Sequence, residues 1–193
     1  MGKEFEIKYA APAEALAQIR DAFGTFETIA METVYFDIPD GYFSARKMTL
    51  RLRRENDRTV CTLKTPSDGQ SRGEWELECD DIRAAAPILC KLAKIDPPDI
   101  SRLQPICGAR FTRLAKTVPI PGGSAEIALD AGVLMGGGQE LPFREVEAEL
   151  KSGSEEALTA YAAALAAKYG LQLQPKSKFQ RAKALVKGER HGF

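Results

Sequence analysis

The sequence of 193 residues has a single histidine, His191, placed in a polar tail. That scarcity removes His-centred zinc sites, Ser-His-Asp triads and Cys-His dyads from consideration. The four cysteines, Cys61, Cys79, Cys90 and Cys107, show no CxxC or other metal-ligand spacing, so free thiols in a reducing compartment are expected. No apolar run approaches the roughly 18 residues needed to span a bilayer, and the opening Met-Gly-Lys-Glu-Phe-Glu is charged at once. A cytoplasmic protein is expected. Net charge is absent too: 27 basic residues balance 27 acidic ones, so no general attraction to nucleic acid or to an anionic membrane follows. Any electrostatic function is local, and any chemistry must use carboxylates, Lys, Arg or bound metal.

What is present is a recurrent period of two. It runs at 3–9, 31–37, 48–55, 59–65, 73–80, 108–118, 124–131 and 143–151, which predicts eight strands. Turn chemistry separates several of them, at Pro39-Asp40-Gly41, Asn56-Asp57-Arg58, Ser67-Asp68-Gly69, Pro121-Gly122-Gly123 and Gly136-Gly137-Gly138, so most neighbours should pair antiparallel. Helical spacing appears at 12–23 and 82–94, the latter capped by Asp80 or Asp81. A third helix over 154–169 follows Ser152-Gly153-Ser154-Glu155, which has capping-box spacing, and a last one follows Ser177 with Phe179, Ala182 and Leu185 on one face. Residues 1–187 read as one domain and 188–193 as a frayed tail.

The informative feature is what alternates with the apolar residues. The segments Glu4-Phe5-Glu6-Ile7-Lys8, Leu50-Arg51-Leu52-Arg53, Glu74-Trp75-Glu76-Leu77-Glu78 and Glu145-Val146-Glu147-Ala148-Glu149 each put charge on one face and apolar groups on the other. A sheet with one face in water explains any one such strand. It does not explain the set, because solvated faces mix their charges while these strands are nearly single-signed, and like charges directly opposite one another destabilise a sheet. A sheet of about eight strands can close around one small ligand. With the charges inward and the helices covering the outside, the fold class is α+β: an eight-stranded antiparallel barrel with a charged lumen. Enclosed carboxylates invite divalent cations, enclosed Arg and Lys invite a polyanion, and oxygen-only ligation suits Mg²⁺ or Mn²⁺.

These segments, in order with Tyr35-Phe36-Asp37, Leu63-Lys64, Phe111-Thr112-Arg113, Glu126-Ile127-Ala128-Leu129-Asp130 and Ser177-Lys178, resemble the CYTH superfamily, the triphosphate tunnel metalloenzymes. The amino-terminal Glu4-Phe5-Glu6-Ile7-Lys8 is similar to that family's ExExK signature, and the resemblance covers about 4–185. It implies a metal-dependent enzyme of the inorganic triphosphatase kind acting on a triphosphorylated small molecule by in-line attack of metal-activated water. The stretch 103–153 is most similar to bacterial inorganic triphosphatases. Class IV adenylate cyclase, thiamine triphosphatase and a non-catalytic polyphosphate- or nucleotide-binding module stay open as alternatives, as does a monomer or homodimer.

By the same resemblance, Glu4, Glu6, Glu147 and Glu149 are the expected metal ligands, with Glu76 and Asp130 as further candidates. Lys8, Arg51, Arg53, Lys64 and Arg113 are expected to grip phosphate, and Lys178 and Lys8 to act in catalysis, Lys178 by protonating the leaving group. From the residues alone, the Glu74–Glu78 strand reads equally well as a holder of Arg and Lys side chains, and Asp130 as a hairpin-turn residue. Two departures stand out. Ala115 occupies a position where the family often has a second inward cation, with Lys116 on the opposite parity. Bacterial inorganic triphosphatases also commonly carry a helical CHAD domain after the tunnel, so a standalone member and a trimmed one both fit.

Overall fold

A computed structural model describes residues 5–66 and 73–188. Glu4, the turn at Ser67-Asp68-Gly69 and His191 lie outside these residues. The alternating segments form nine antiparallel strands in one sheet, in the order β5-β4-β3-β2-β6-β7-β8-β1-β9. They are β1 (Glu6–Ala10), β2 (Glu27–Asp37), β3 (Thr49–Glu55), β4 (Arg58–Thr65), β5 (Gly73–Glu78), β6 (Gln104–Ile120), β7 (Gly123–Gly136), β8 (Gln139–Ser152) and β9 (Gln172–Leu173). The helices are α1 (Ala13–Phe23), α2 (Tyr42–Ala45), α3 (Ile82–Leu92), α4 (Glu155–Tyr169) and α5 (Lys178–Val186).

Two differences from the expected barrel concern its closure. A short ninth strand adds to the edge at β1, and among the described residues no ladder joins β5 to β9. The sheet therefore curls into a tunnel without closing it by hydrogen bonds. The curl is visible in what meets inside: Glu6 and Lys8 from β1 line the same cavity as Lys64 from β4 and Glu74 from β5.

Outside, the apolar parity of each strand is buried as alternation dictates. Tyr9, Ile127, Leu129, Val146 and Ala148 pack under α1 and α4 through Ile19, Leu158 and Leu165. Leu50, Cys61 and Leu63, with Trp75 beside them, pack under α3 through Ala85, Ala86 and Leu89. Asp81 caps α3 by accepting a hydrogen bond from the Arg83 N–H. The cap of α4 is shifted from its expected place: Ser154, not Ser152, accepts from the Ala157 N–H. The reciprocal capping box belongs instead to α5, between Ser177 and Gln180. The cysteines are free thiols, and burial pushes Cys61 and Cys107 up to about 12 and Cys90 to about 11, which leaves them chemically quiet.

The last helix does something the sequence pattern does not announce. Ala182 and Leu185 of α5 pack against Phe111, Leu134 and Phe143, and these residues share the concave parity of Arg113. So α5 plugs the inside of the sheet and presents its first residue, Lys178, to the lumen.

Candidate functional site

Residues opposite one another in register share a face, so the lumen can be read as cross-strand rows. In the first row Glu6 faces Glu149, which in turn faces Glu126. In the next, Lys8 faces Glu147, followed by Ala128 and Ala115. A third row runs Glu145, Asp130, Arg113, and a fourth Phe143, Gly132, Phe111. Gly132 has no side chain for a reason: a Cβ there would lie 2.2 Å from the Arg110 carbonyl oxygen. The two rings meet beside it with centroids 5.5 Å apart.

Glu6, Lys8, Arg51, Arg53, Lys64, Glu76, Arg113, Glu147, Glu149 and Lys178 all line one cavity of about 670 Å³. Asp130 is not on that wall. It is fully buried in the middle of β7, paired in register with strands on both sides, which corrects the hairpin-turn reading, and Arg113 donates to its two oxygens in a fork, both at 2.8 Å.

An ionic network forms the cavity floor, with Arg113, Glu147 and Lys178 on its lining and Asp130 and Glu145 buried behind them. The ligand oxygens of Asp130, Glu145 and Glu147 fall within 4.8 Å of one another, a spacing a metal ion could use. The Lys178 ammonium already occupies it, 2.8, 2.6 and 2.7 Å from the three carboxylates. Arg113 also donates to Glu147, and Arg181 to Glu145. Burial alone would raise the Glu147 carboxyl, but the charges of Lys178 and Arg113 hold it well below the usual carboxylate range. Burial would likewise lower Lys178, and Glu147, Asp130 and Glu145 together hold it well above an ordinary lysine. The network thus sets three carboxylates against three basic side chains, with Glu147, Lys178 and Arg113 each held in its charged form by its neighbours.

The opposite wall carries cations that are less fully engaged. Arg51 and Lys64 share Glu74, at 3.4 and 3.2 Å, and Arg53 reaches Glu55 at 3.4 Å. The Nε atoms of both arginines are buried with no hydrogen-bond partner. Burial, with Arg51 beside it, lowers the Arg53 pKa. Buried donors of this kind are costly unless an acceptor is supplied. Of the Glu-rich strand β5, Glu74 holds cations and Glu76 accepts from the Thr62 hydroxyl at 3.1 Å.

The carboxylate wall is the mirror case. Glu6, Glu149 and Glu126 stand on adjacent strands, and their compensation comes from Lys8 at 2.9 Å from Glu6 and Lys151 at 2.9 Å from Glu149 and 3.7 Å from Glu126. Glu126, Glu145 and Arg181 belong to this architecture but not to the expected site set. Parity with Glu149 and Glu147 could have flagged the first two, and helical spacing from Lys178 the third. Ala115 faces Ala128 in the lumen, while Lys116 turns outward and donates to the Phe23 carbonyl.

The CYTH domain model matches residues 2–182. The chain belongs to the CYTH family. A curated relative, the inorganic triphosphatase of Haemophilus influenzae, is 29% identical over 193 residues, covering 94% of this chain and 54% of its own. The chain therefore spans about half the length of that relative. Among solved structures of CYTH-like fold, a candidate adenylate cyclase of Bacillus halodurans has a TM-score of 0.72 at 20% identity, covering 92% of this chain and 96% of its own. A candidate Hippeastrum adenylyl cyclase with a dominant triphosphatase activity has a TM-score of 0.69 at 20% identity, covering 97% and 96%. These likenesses bear on the CYTH fold. No helix among the described residues is long and apolar enough to cross a membrane.

Proposed function

We propose that the chain is a metal-dependent hydrolase of a linear triphosphate, with inorganic tripolyphosphate as its substrate. The observation that carries this reading is that Arg51 and Arg53, whose Nε atoms are buried without a hydrogen-bond partner, line the same cavity as a row of like-charged carboxylates. A polyanion in the cavity is complementary to the guanidinium groups of Arg51 and Arg53, and its charge is shared by Lys8, Lys64 and Arg113. The similarity to the Haemophilus relative supports the choice of tripolyphosphate.

The carboxylate row fits a divalent cation. Three glutamates directly opposite one another on neighbouring strands are unfavourable in a plain sheet, and oxygen donors without histidine or thiolate suit Mg²⁺ or Mn²⁺. Glu6 and Glu149 would hold it, with Glu126 and Glu147 adjoining and Glu4 completing the set the family pattern implies. Bound there, the ion supplies charge neutralisation for phosphate oxygens and a more acidic water.

The protein's own part is positioning. Arg51, Arg53, Lys64 and Arg113 fix the phosphate chain so that water attacks the terminal phosphorus in line with the departing diphosphate. Lys178 faces the same cavity, and its raised pKa makes it a poor proton donor. With its Nζ held 2.6–2.8 Å from three carboxylates, it serves as a fixed positive charge that stabilises the negative charge developing on the leaving oxygen. Lys8, 2.9 Å from Glu6 on the carboxylate wall, neutralises part of the incoming polyanion's charge. A phosphate-release panel of tripolyphosphate, thiamine triphosphate and ATP with each metal tests the proposal, with cyclic AMP followed separately. Tripolyphosphate should be hydrolysed fastest; cyclic AMP as the main product would move the chain to cyclase chemistry.

A further inference from the structure

The tunnel opens at one mouth into a second cavity, of about 550 Å³, and the two share Thr49, Lys64, Ser177 and Phe179 on their walls. Its charge is of one sign. Lys47, Lys64, Lys176, Lys183 and Lys187 line it, and no described residue on its wall is acidic. The tunnel itself mixes both signs on its lining, and the whole chain is neutral, so this concentration of ammonium groups is local. Lys64 is engaged with Glu74 at 3.2 Å. Lys47 stands on the turn after α2, Lys64 on β4, and Lys176, Lys183 and Lys187 on the one stretch that holds α5, so three separate stretches of chain converge their charges on one space. Thr65 adds a hydroxyl on the same wall, while the Ser44 hydroxyl there donates to Asp37.

Resting on the triphosphatase reading of the tunnel, we propose that this second cavity is a subsite for the phosphates beyond the third in a linear inorganic polyphosphate. Like ammonium groups without carboxylates repel one another, and a polyanion relieves that repulsion. Continuity with the tunnel means that a chain gripped by Arg51 and Arg53 can extend into the subsite through the shared residues. A nucleoside is disfavoured by the wall's composition. Phe179 is the sole aromatic side chain among the described lining residues, and its ring is already packed on Tyr35 at 5.0 Å, with the Lys183 ammonium 5.7 Å from it. Among the described lining residues no second aromatic ring is available to sandwich a base.

The test is calorimetric titration of the full chain in EDTA, where no turnover is expected, with tripolyphosphate, a longer linear polyphosphate and ATP as probes. The longer polyphosphate should bind wild type about tenfold tighter than tripolyphosphate, the sum of several screened contacts. Lys183→Gln together with Lys187→Gln should remove most of that advantage and leave tripolyphosphate affinity unchanged. Lys47→Gln, on a different element, should reduce the advantage about threefold and serves as the second test if the α5 variants fold poorly. Equal affinity for the short and long chains in wild type, or an equal loss for both in the variants, would overturn the subsite. So would an ATP advantage of the same size that the same lysines remove. Failure of the tunnel reading looks different: tripolyphosphate affinity would then be indifferent to Arg51→Ala, while a lysine-dependent advantage for the long chain would still support the subsite.

Discussion

Replacing Lys178 by methionine removes the ammonium from its place 2.6–2.8 Å from Asp130, Glu145 and Glu147 while keeping an unbranched side chain on α5. Three buried carboxylates would then face two guanidinium groups, those of Arg113 and Arg181. Leaving a buried charge without its partner costs about 3–5 kcal/mol, against about 0–1 kcal/mol for an exposed pair. At about 2–4 °C per kcal/mol for a chain of this size, Tm should fall by about 6–20 °C near neutral pH.

The pH dependence has a definite sign. In wild type the folded Glu147 carboxyl is held below its unfolded value, so its contribution is fully present above a pH of about 4.3 and is lost as pH falls through the folded value. Lys178 is held above its unfolded value, so its contribution is full below a pH of about 10.4 and is lost only as pH rises through the higher folded value. In K178M the surplus carboxylate lacks its cation, its folded pKa rises, and a proton restores stability as pH drops. The deficit between variant and wild type should therefore be largest at alkaline pH and shrink in mild acid. Urea or thermal unfolding of both proteins across that range measures it. A deficit independent of pH, or one below about 1 kcal/mol at alkaline pH, would refute the buried network as the stabilising element.

Three further outcomes follow from the site. Arg51→Ala and Arg53→Ala each remove a guanidinium that should grip phosphate before and during reaction, so KM should rise and kcat fall, with kcat/KM down about 10–100-fold in steady-state assays; unchanged kinetics in both would place these arginines outside the reaction. Gly136→Ala would put a Cβ 2.3 Å from the Ala182 carbonyl oxygen and push α5 off the sheet, costing about 1–3 kcal/mol. Because α5 carries Lys178, kcat should drop about tenfold or more even where melting shows a folded protein, and normal turnover would contradict the positioning role of α5. Glu6→Gln and Glu149→Gln keep side-chain shape and remove charge, so Mn²⁺ titrations should show weakened affinity while apo stability holds or rises; wild-type affinity in both would leave the shared carboxylate site unsupported.

Much of this arrangement was legible because charge and parity travel together in a strand. Glu6 and Lys8, Arg51 and Arg53, and Glu147 and Glu149 alternate with apolar neighbours, and a single-signed run needs an enclosed partner. The α+β class and the outward cover by α1, α3 and α4 follow from the same alternation. Other features depend on contacts that period and spacing do not encode. Asp130, followed by Ala131-Gly132, has the look of a turn, and only Arg113 from the adjacent strand and Lys178 from α5 show it to be a buried, partnered carboxylate. Glu145 and Arg181 form a pair 36 residues apart, which exists because α5 folds back inside the sheet. A Ser-x-x-Glu pattern marked the start of α4, yet competition between Ser152 and Ser154 for the cap was settled by where β8 ends, at Ser152 itself. Closure of the sheet was also beyond reach, since alternation sets the faces of strands and not which edges meet.

The most direct measurement is phosphate release from tripolyphosphate by the purified chain, first in excess EDTA and then after Mg²⁺ or Mn²⁺ is restored. Activity that disappears under chelation and returns with either ion is the predicted result. Full turnover in EDTA would contradict the assignment of Glu6 and Glu149 to a metal on which hydrolysis depends.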